Sequence, residues 1–269
     1  MADPMISVAD LTVAYDGRRV LNSVSLDIEP GEVMVLVGGS GSGKTTMLRH
    51  IVGLERPDSG TIRVHGVDIN RCSAKELEGI RRTMGVAFQE CALFNSMSIE
   101  ENVSLPLHEL TDLADPVIEI MTYMKLAAVG LGEAVKRMPQ ELSGGMKKRA
   151  AIARATALDP AILIFDEPSA GLDPVVAAGV DDLILLLKRA FHMTMLVVTH
   201  ELASAFRIAD RIAMLYQGSM IAVDGKESFR SNANPHIRQF LDRVADPIDA
   251  SPAVEDHIRK LAGIVGVKP

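Results

Sequence analysis

The sequence predicts an α/β fold carrying a helical insert. Three observations support that prediction. Apolar runs of strand length, "VMVLVGG", "AILIFDE" and "TMLVVTH", recur along the chain with helical stretches between them. The first of these runs leads directly into a glycine-rich loop. Between residues 90 and 155 the strand pattern lapses and helical periodicity replaces it.

The elements follow in order. "ISVADLTVAY" alternates as a half-buried strand does, and "DGRR" is a turn. "NSVSLDIEPGE" predicts a short strand ending in a Pro-Gly turn. "VMVLVGG" is a buried strand meeting a tight loop. "TTMLRHIVGLE" predicts a helix that "RPDSG" stops, and "TIRVHGVDI" returns to strand. Inside the insert, Asp115 is placed to cap a helix with Pro116 at its first position. Val117, Ile120, Met121 and Met124 then fall at i, i+3, i+4 and i+7 and predict one apolar face. Beyond the insert, the helix "DPVVAAGVDDLILLLKRAF" separates two apolar strands, and "RIAMLYQGSMIAV" is a hairpin turning at Gln217-Gly218. From residue 226 the chain is a tail. Asn234-Pro235 and Ser251-Pro252 each predict a cap followed by proline at the first helical position.

Composition bounds the function. A chain of 269 residues suits one large domain, or a core with a small subdomain. Hydrophobic residues make up 48% and aromatics only 4%, so the core is aliphatic, with 14 Met filling gaps. A net charge of −7 argues against a general nucleic-acid binder, which needs a basic surface. Cys72 and Cys91 form no metal or redox motif. The start "MADPMISVAD" has no secretory pattern, and no apolar run is long enough to span a bilayer. The expectation is a soluble, cytoplasmic chain that can sit against a membrane protein.

The chemistry starts at "GGSGSGKTT", where Gly38, Gly43, Lys44 and Thr45 fit G-x-x-x-x-G-K-[ST]. Backbone N–H groups of Gly38, Gly39, Ser40, Gly41, Ser42 and Gly43 turn around phosphate oxygens in such a loop, helped by a helix N-terminus at Thr45 and Thr46. Lys44 neutralises β/γ oxygens, and the Thr45 hydroxyl suits Mg²⁺. The strand "ILIFD" ends in Asp166 and Glu167. Adjacent carboxylates are costly to bury unless a cation or a proton meets them. Asp166 suits Mg²⁺ held through water, and Glu167 suits a general base for the attacking water. In "LSGGMKKR", Lys147, Lys148 and Arg149 crowd the start of a helix, the end where cations are disfavoured. Either an external anion faces them, or the two lysines are solvated.

Together these motifs resemble the nucleotide-binding subunit of an ABC transporter, over roughly residues 6–225. The resemblance implies a P-loop NTPase (RecA-like) core with an antiparallel β subdomain and a helical subdomain. The implied organisation is a first core part over 1–89, a helical subdomain over 90–155, a second core part over 156–225 and a helical tail over 226–269. ATP and Mg²⁺ are the implied cofactors. Tyr15 stands where the family stacks an aromatic on adenine. Gln89 matches the loop glutamine that reaches Mg²⁺ and water. His200 matches the switch histidine, which contacts the γ-phosphate and the catalytic carboxylate. "SAGLD", Ser169 to Asp173, matches a loop that touches the opposite subunit. Ser143, Gly144 and Gly145 match the motif that completes the ATP site of a second copy.

Met146 departs from the glutamine found in most of the family. Methionine there, with "ALFNSMSIEENVSLPL", resembles the ATPases of MCE-associated phospholipid transporters. That branch implies a multi-spanning permease, an MCE-domain lipid-binding protein and a small STAS-domain protein as partners. It also implies a peripheral position on the cytoplasmic face of a bacterial inner membrane. "CALFNSMSIEEN" is a candidate docking segment, unless Leu93 and Phe94 pack into the core. The tail either grips a neighbouring subunit or packs as a helix pair. Two other readings are an ABC subunit for another substrate (amino acid or lipoprotein) and a soluble ABC ATPase of DNA repair or translation. The second lacks support: there is no long heptad insert, zinc cluster or second cassette.

Overall fold

The computed structural model describes residues 3–244. Among the described residues, ten strands form two sheets. The four-stranded antiparallel sheet has the order β2-β1-β4-β5, from β1 (Ile6–Tyr15), β2 (Arg18–Ile28), β4 (Ser59–Val64) and β5 (Val67–Asp68). The six-stranded sheet has the order β10-β9-β3-β8-β7-β6. Its members are β3 (Val33–Val37), β6 (Met84–Ala87), β7 (Ile162–Asp166), β8 (Thr194–Val198), β9 (Arg211–Tyr216) and β10 (Ser219–Gly225). All run parallel except β10, which closes a hairpin onto β9.

The continuous apolar runs behave as expected of parallel strands covered on both faces. Every residue of β3, β7 and β8 is buried. The main core joins both sheets to helix α1 (Lys44–Ile51) through Leu21, Leu26, Leu36, Met47, Ile51, Ile62 and Ile164 among others. β2 is longer than the sequence predicts. Arg18 and Arg19 belong to it, and only Asp16 and Gly17 turn, because pairing with β1 extends the ladder to the turn itself.

Two elements between residues 71 and 89 have no counterpart in the sequence reading, α2 (Ala74–Arg82) and β6. The signal for α2 is present: Ser73 and Glu76 form a reciprocal capping box. The insert holds α3 (Ile99–Leu110), α4 (Asp115–Ala128) and α5 (Gly144–Ala155), with α3 and α4 both packed on α5. A second capping box, Ser98 with Glu101, starts α3. The cap of α4 falls one residue early, at Ala114, so Asp115 is the first helical residue.

The predicted face of α4 is a correction. Ile118, Thr122 and Leu126 are its buried residues, whereas Val117, Ile120 and Met124 are exposed and only Met121 packs partly inward. The helix has apolar residues on two sides, so periodicity defines two stripes. Packing against Leu107 of α3 and Ala157 chose the other one.

Helix α6 (Pro174–Phe191) begins at Asp173, whose side chain accepts the N–H groups of Val175 and Val176 at 3.0 Å each. Helix α7 (Leu202–Ile208) follows His200. The chain divides into two units, one through Asn232 and one from Ala233. α8 (Lys226–Arg230) lies in the first and packs on β9 and β10. In the second, α9 (Pro235–Leu241) is capped by Asn234, as the Asn-Pro pair predicts. Ser251-Pro252 lies outside the described residues.

Candidate active site

Four strands deliver the site from one edge. β3, β8, β7 and β6 are neighbours, and their C-terminal ends lead into the Gly38 loop, His200, Asp166-Glu167 and Gln89. Register aligns them: Leu36 pairs with Val198, and Val198 with Asp166. Ligands of parallel sheets bind at such carboxyl ends.

The loop after β3 rests on a glycine that no other residue replaces. Gly38 has φ of 152°, and a Cβ there would stand 2.3 Å from the Leu215 carbonyl oxygen. The loop then turns back so that the Lys44 ammonium donates to the carbonyls of Gly38 at 2.8 Å and Gly39 at 3.0 Å. Burial lowers the pKa of Lys44, while the charges of Glu167 and Asp166 pull it back up. The cavity against this loop has a volume of about 790 Å³. It is lined by Ser40 to Thr46, together with Arg18, Arg19, Val20, Gln217 and Gly218.

Asp166 and Glu167 are both buried. One oxygen of each, Asp166 Oδ1 and Glu167 Oε2, has no hydrogen-bond partner among the described residues. Burial raises the Asp166 pKa, and the Glu167 charge raises it further against the pull of Lys44 and Lys148. Glu167 Oε1 lies 2.8 Å from His200 Nδ1. Glu167 also has a left-handed backbone, φ 51°, which costs an ordinary residue about 1–2 kcal/mol. Its N–H is held by the Val198 carbonyl at 2.8 Å and its own carbonyl by Lys148 at 2.9 Å.

Ser143 caps α5, its hydroxyl accepting the Met146 N–H at 3.4 Å, and both Ser143 and Gly144 are exposed. Gly144 and Gln89 line a different cavity, of about 490 Å³, with Lys147 and Leu172. None of Ser143, Gly144 and Gly145 lines the cavity at the Gly38 loop.

The ABC transporter family model matches residues 21–170. The chain belongs to the ABC transporter family. It is 39% identical over 261 residues to the intermembrane phospholipid transport system ATP-binding protein MlaF of Escherichia coli (strain K12), covering 96% of this chain and 97% of that protein. It is 42% identical over 247 residues to the probable ribonucleotide transport ATP-binding protein mkl of Mycobacterium leprae, covering 91% and 71% respectively. Among solved structures, the dimeric ATP-binding cassette MJ0796 in a post-hydrolysis state, bound to ADP and Pi, aligns with a TM-score of 0.77 at 30% identity. That alignment covers 82% of this chain and 99% of that one. The cbiO1 protein of Clostridium perfringens, part of the cbiONQ complex, aligns with a TM-score of 0.79 at 26% identity over 96% and 100%. This ABC protein is thus a P-loop ATPase that binds and hydrolyses ATP.

Among the described residues no three His, Cys, Asp or Glu side chains gather into a metal cage. Mg²⁺ bound with a nucleotide needs only one or two protein ligands beside phosphate and water. The donor set of this ABC site fits that demand: the Asp166 oxygen without a partner among the described residues is buried, and Thr45 lines the loop cavity.

Tyr15 is half exposed and donates its hydroxyl to Glu55, and Arg18 and Arg19 line the loop cavity. One sequence expectation meets a different geometry. Lys148 is neither solvated nor free to meet an external anion. It is 8% exposed and donates to the carbonyls of Gln89 at 2.5 Å and Glu167 at 2.9 Å. Nothing local marks Lys148 off from Lys147, since both follow the same glycines.

Proposed function

We propose that this chain is the ATP-hydrolysing subunit of a transporter that moves phospholipid between bacterial inner and outer membranes. The observation that carries the catalytic half is the buried Glu167 carboxylate held at 2.8 Å from His200 and next to Asp166. Glu167 takes the proton of a water as its oxygen attacks the γ-phosphorus. The bond to the bridging oxygen breaks, giving ADP and phosphate. His200 orients the carboxylate. Lys44 and the N–H groups of Gly38 to Gly43 hold the phosphates, with Thr46 at the start of α1. Thr45, Gln89 and Asp166 would hold Mg²⁺, which would neutralise phosphate charge. Tyr15 packs on the adenine.

Ser143, Gly144 and Gly145 act on the nucleotide of a second copy, a reading supported by their absence from the lining of the chain's own loop cavity and by the dimeric cassette relative. Further partners are a multi-spanning permease, an MCE-domain protein and a small STAS-domain protein. Likeness to MlaF supports a peripheral place on the inner membrane's cytoplasmic face; no described helix is long and apolar enough to cross a membrane.

End-to-end likeness to MlaF proteins supports phospholipid as cargo. The likeness to mkl favours a ribonucleotide as the second reading. Purification of the detergent-extracted complex, with mass spectrometry of its subunits and bound small molecules, separates them. Recovery of a permease, an MCE protein and phospholipid is expected. A ribonucleotide-loaded binding protein in their place overturns the lipid reading.

A further inference from the structure

Helix α5 reaches back to the catalytic core of its own chain. Lys148 is the fifth residue of the helix, just past its first turn, and it is buried. A buried ammonium persists only where hydrogen bonds replace water. Here the replacements are two main-chain oxygens, of Gln89 and of Glu167, 59 and 19 residues away in sequence. The oxygens belong to segments leaving β6 and β7 side by side. Two turns further along α5, Arg154 donates to the carbonyls of Cys91 at 2.9 Å and Ala92 at 2.8 Å. Cys91, Ala92 and Glu167 all have positive φ, at 61°, 48° and 51°. The helix thus fastens the carbonyls of strained residues on both sides of the site.

We propose that Lys148 is a positioning residue for ATP hydrolysis. By gripping both carbonyls it sets the backbone at Glu167 and locks the carboxylate to the segment that bears Gln89. Three tetrahedral N–H donors let one side chain serve two separate segments, which a thioether cannot do. Lys147, half-buried and without such a bond among the described residues, is not part of this device. The inference rests on Glu167 being the base.

The test measures kcat, KM for ATP, nucleotide affinity and thermal stability of the full chain, purified with the membrane protein it co-purifies with, for K148M, K148R and E167Q. A displacement of about 1 Å at a reacting group costs up to about 10²-fold in rate. K148M is therefore expected to lose roughly 10–100-fold in kcat with KM and affinity within about twofold, and K148R to recover most of the loss. Hydrogen exchange in residues 88–92 should rise in K148M. If K148M does not fold, K148Q, which keeps donors for one carbonyl, takes its place. A parent-like kcat in the folded variant overturns the proposal. So does a loss that K148R fails to recover, or one matched by the fall in nucleotide affinity. E167Q separates the two ideas: if it hydrolyses ATP at the parent rate, the base assignment fails whatever Lys148 does.

Discussion

Replacing Glu167 with Gln removes a charge while leaving the side chain's size unchanged. Oε1 remains an acceptor and keeps its 2.8 Å contact with His200. The other oxygen, buried and partnerless among the described residues, becomes an amide NH₂. An unsatisfied buried donor costs about 1–3 kcal/mol. Against that, Asp166, whose pKa is raised first by burial and then by the Glu167 charge, loses its like-charged neighbour. The two effects oppose each other, so folding stability should stay within about 2 kcal/mol of the parent, a Tm shift of at most about 8 °C. Hydrolysis should fall by about 10²–10⁴, or roughly 2.7–5.4 kcal/mol of barrier, the usual worth of a general base. ATP binding persists, because Lys44 and the loop are untouched. The assay is phosphate release in a single turnover, alongside gel filtration with Mg²⁺-ATP, where a trapped dimer is expected. Hydrolysis at the parent rate by the folded variant would refute the role of Glu167.

Three other outcomes are expected. Gly85→Ala places a Cβ 2.0 Å from the Ala155 carbonyl oxygen, so β6 and α5 must separate; urea unfolding should show a loss of about 1–3 kcal/mol, and parent stability would contradict the packing. Asn102→Ala deletes a fully buried amide that donates to the carbonyls of Phe94, Met97 and Ser98 and accepts the Phe94 N–H; about 2 kcal/mol or more should be lost, with faster exchange across 94–98. Asp181, buried on α6 and hydrogen-bonded by Ser204 of α7, has its pKa raised by burial. A raised carboxyl pKa gives stability that is full below the unfolded value, near 3.8, and is lost as pH rises through the folded value. Asp181→Asn should therefore raise Tm at pH 7 to 8, with the gain shrinking toward zero near pH 4; a gain constant with pH would refute the linkage.

Half-exposed Phe94 and partly buried Leu93 leave the segment "CALFNSMSIEEN" mostly at the surface, and Asn102 explains how it keeps its shape there. No sequence signal distinguishes this asparagine from Asn95, seven residues nearer the loop's start. Its importance comes from reach: one amide at the base of α3 meets three carbonyls that the loop folds back over it. The exposed stripe of α4 illustrates the same limit from the other side. Ile118 and Ile120 are equally apolar, and only the neighbouring helices decide which is covered.

What the sequence by itself determined was local. A phosphate loop needs its glycines, lysine and threonine in consecutive order, so Gly38 to Thr46 are legible as a string. Carboxylates ending an apolar strand, a serine opening a helix and an Asn-Pro cap are legible for the same reason: the interactions they make span a few residues. The tertiary structure decided everything that spans segments. It set Glu167 beside His200, stood Arg18 and Arg19 at the loop cavity, and carried Lys148 from the start of a helix to two distant carbonyls. A buried side chain's partners are fixed by the three-dimensional packing of strands and helices, and neighbours in sequence carry no record of which carbonyl will need an ammonium.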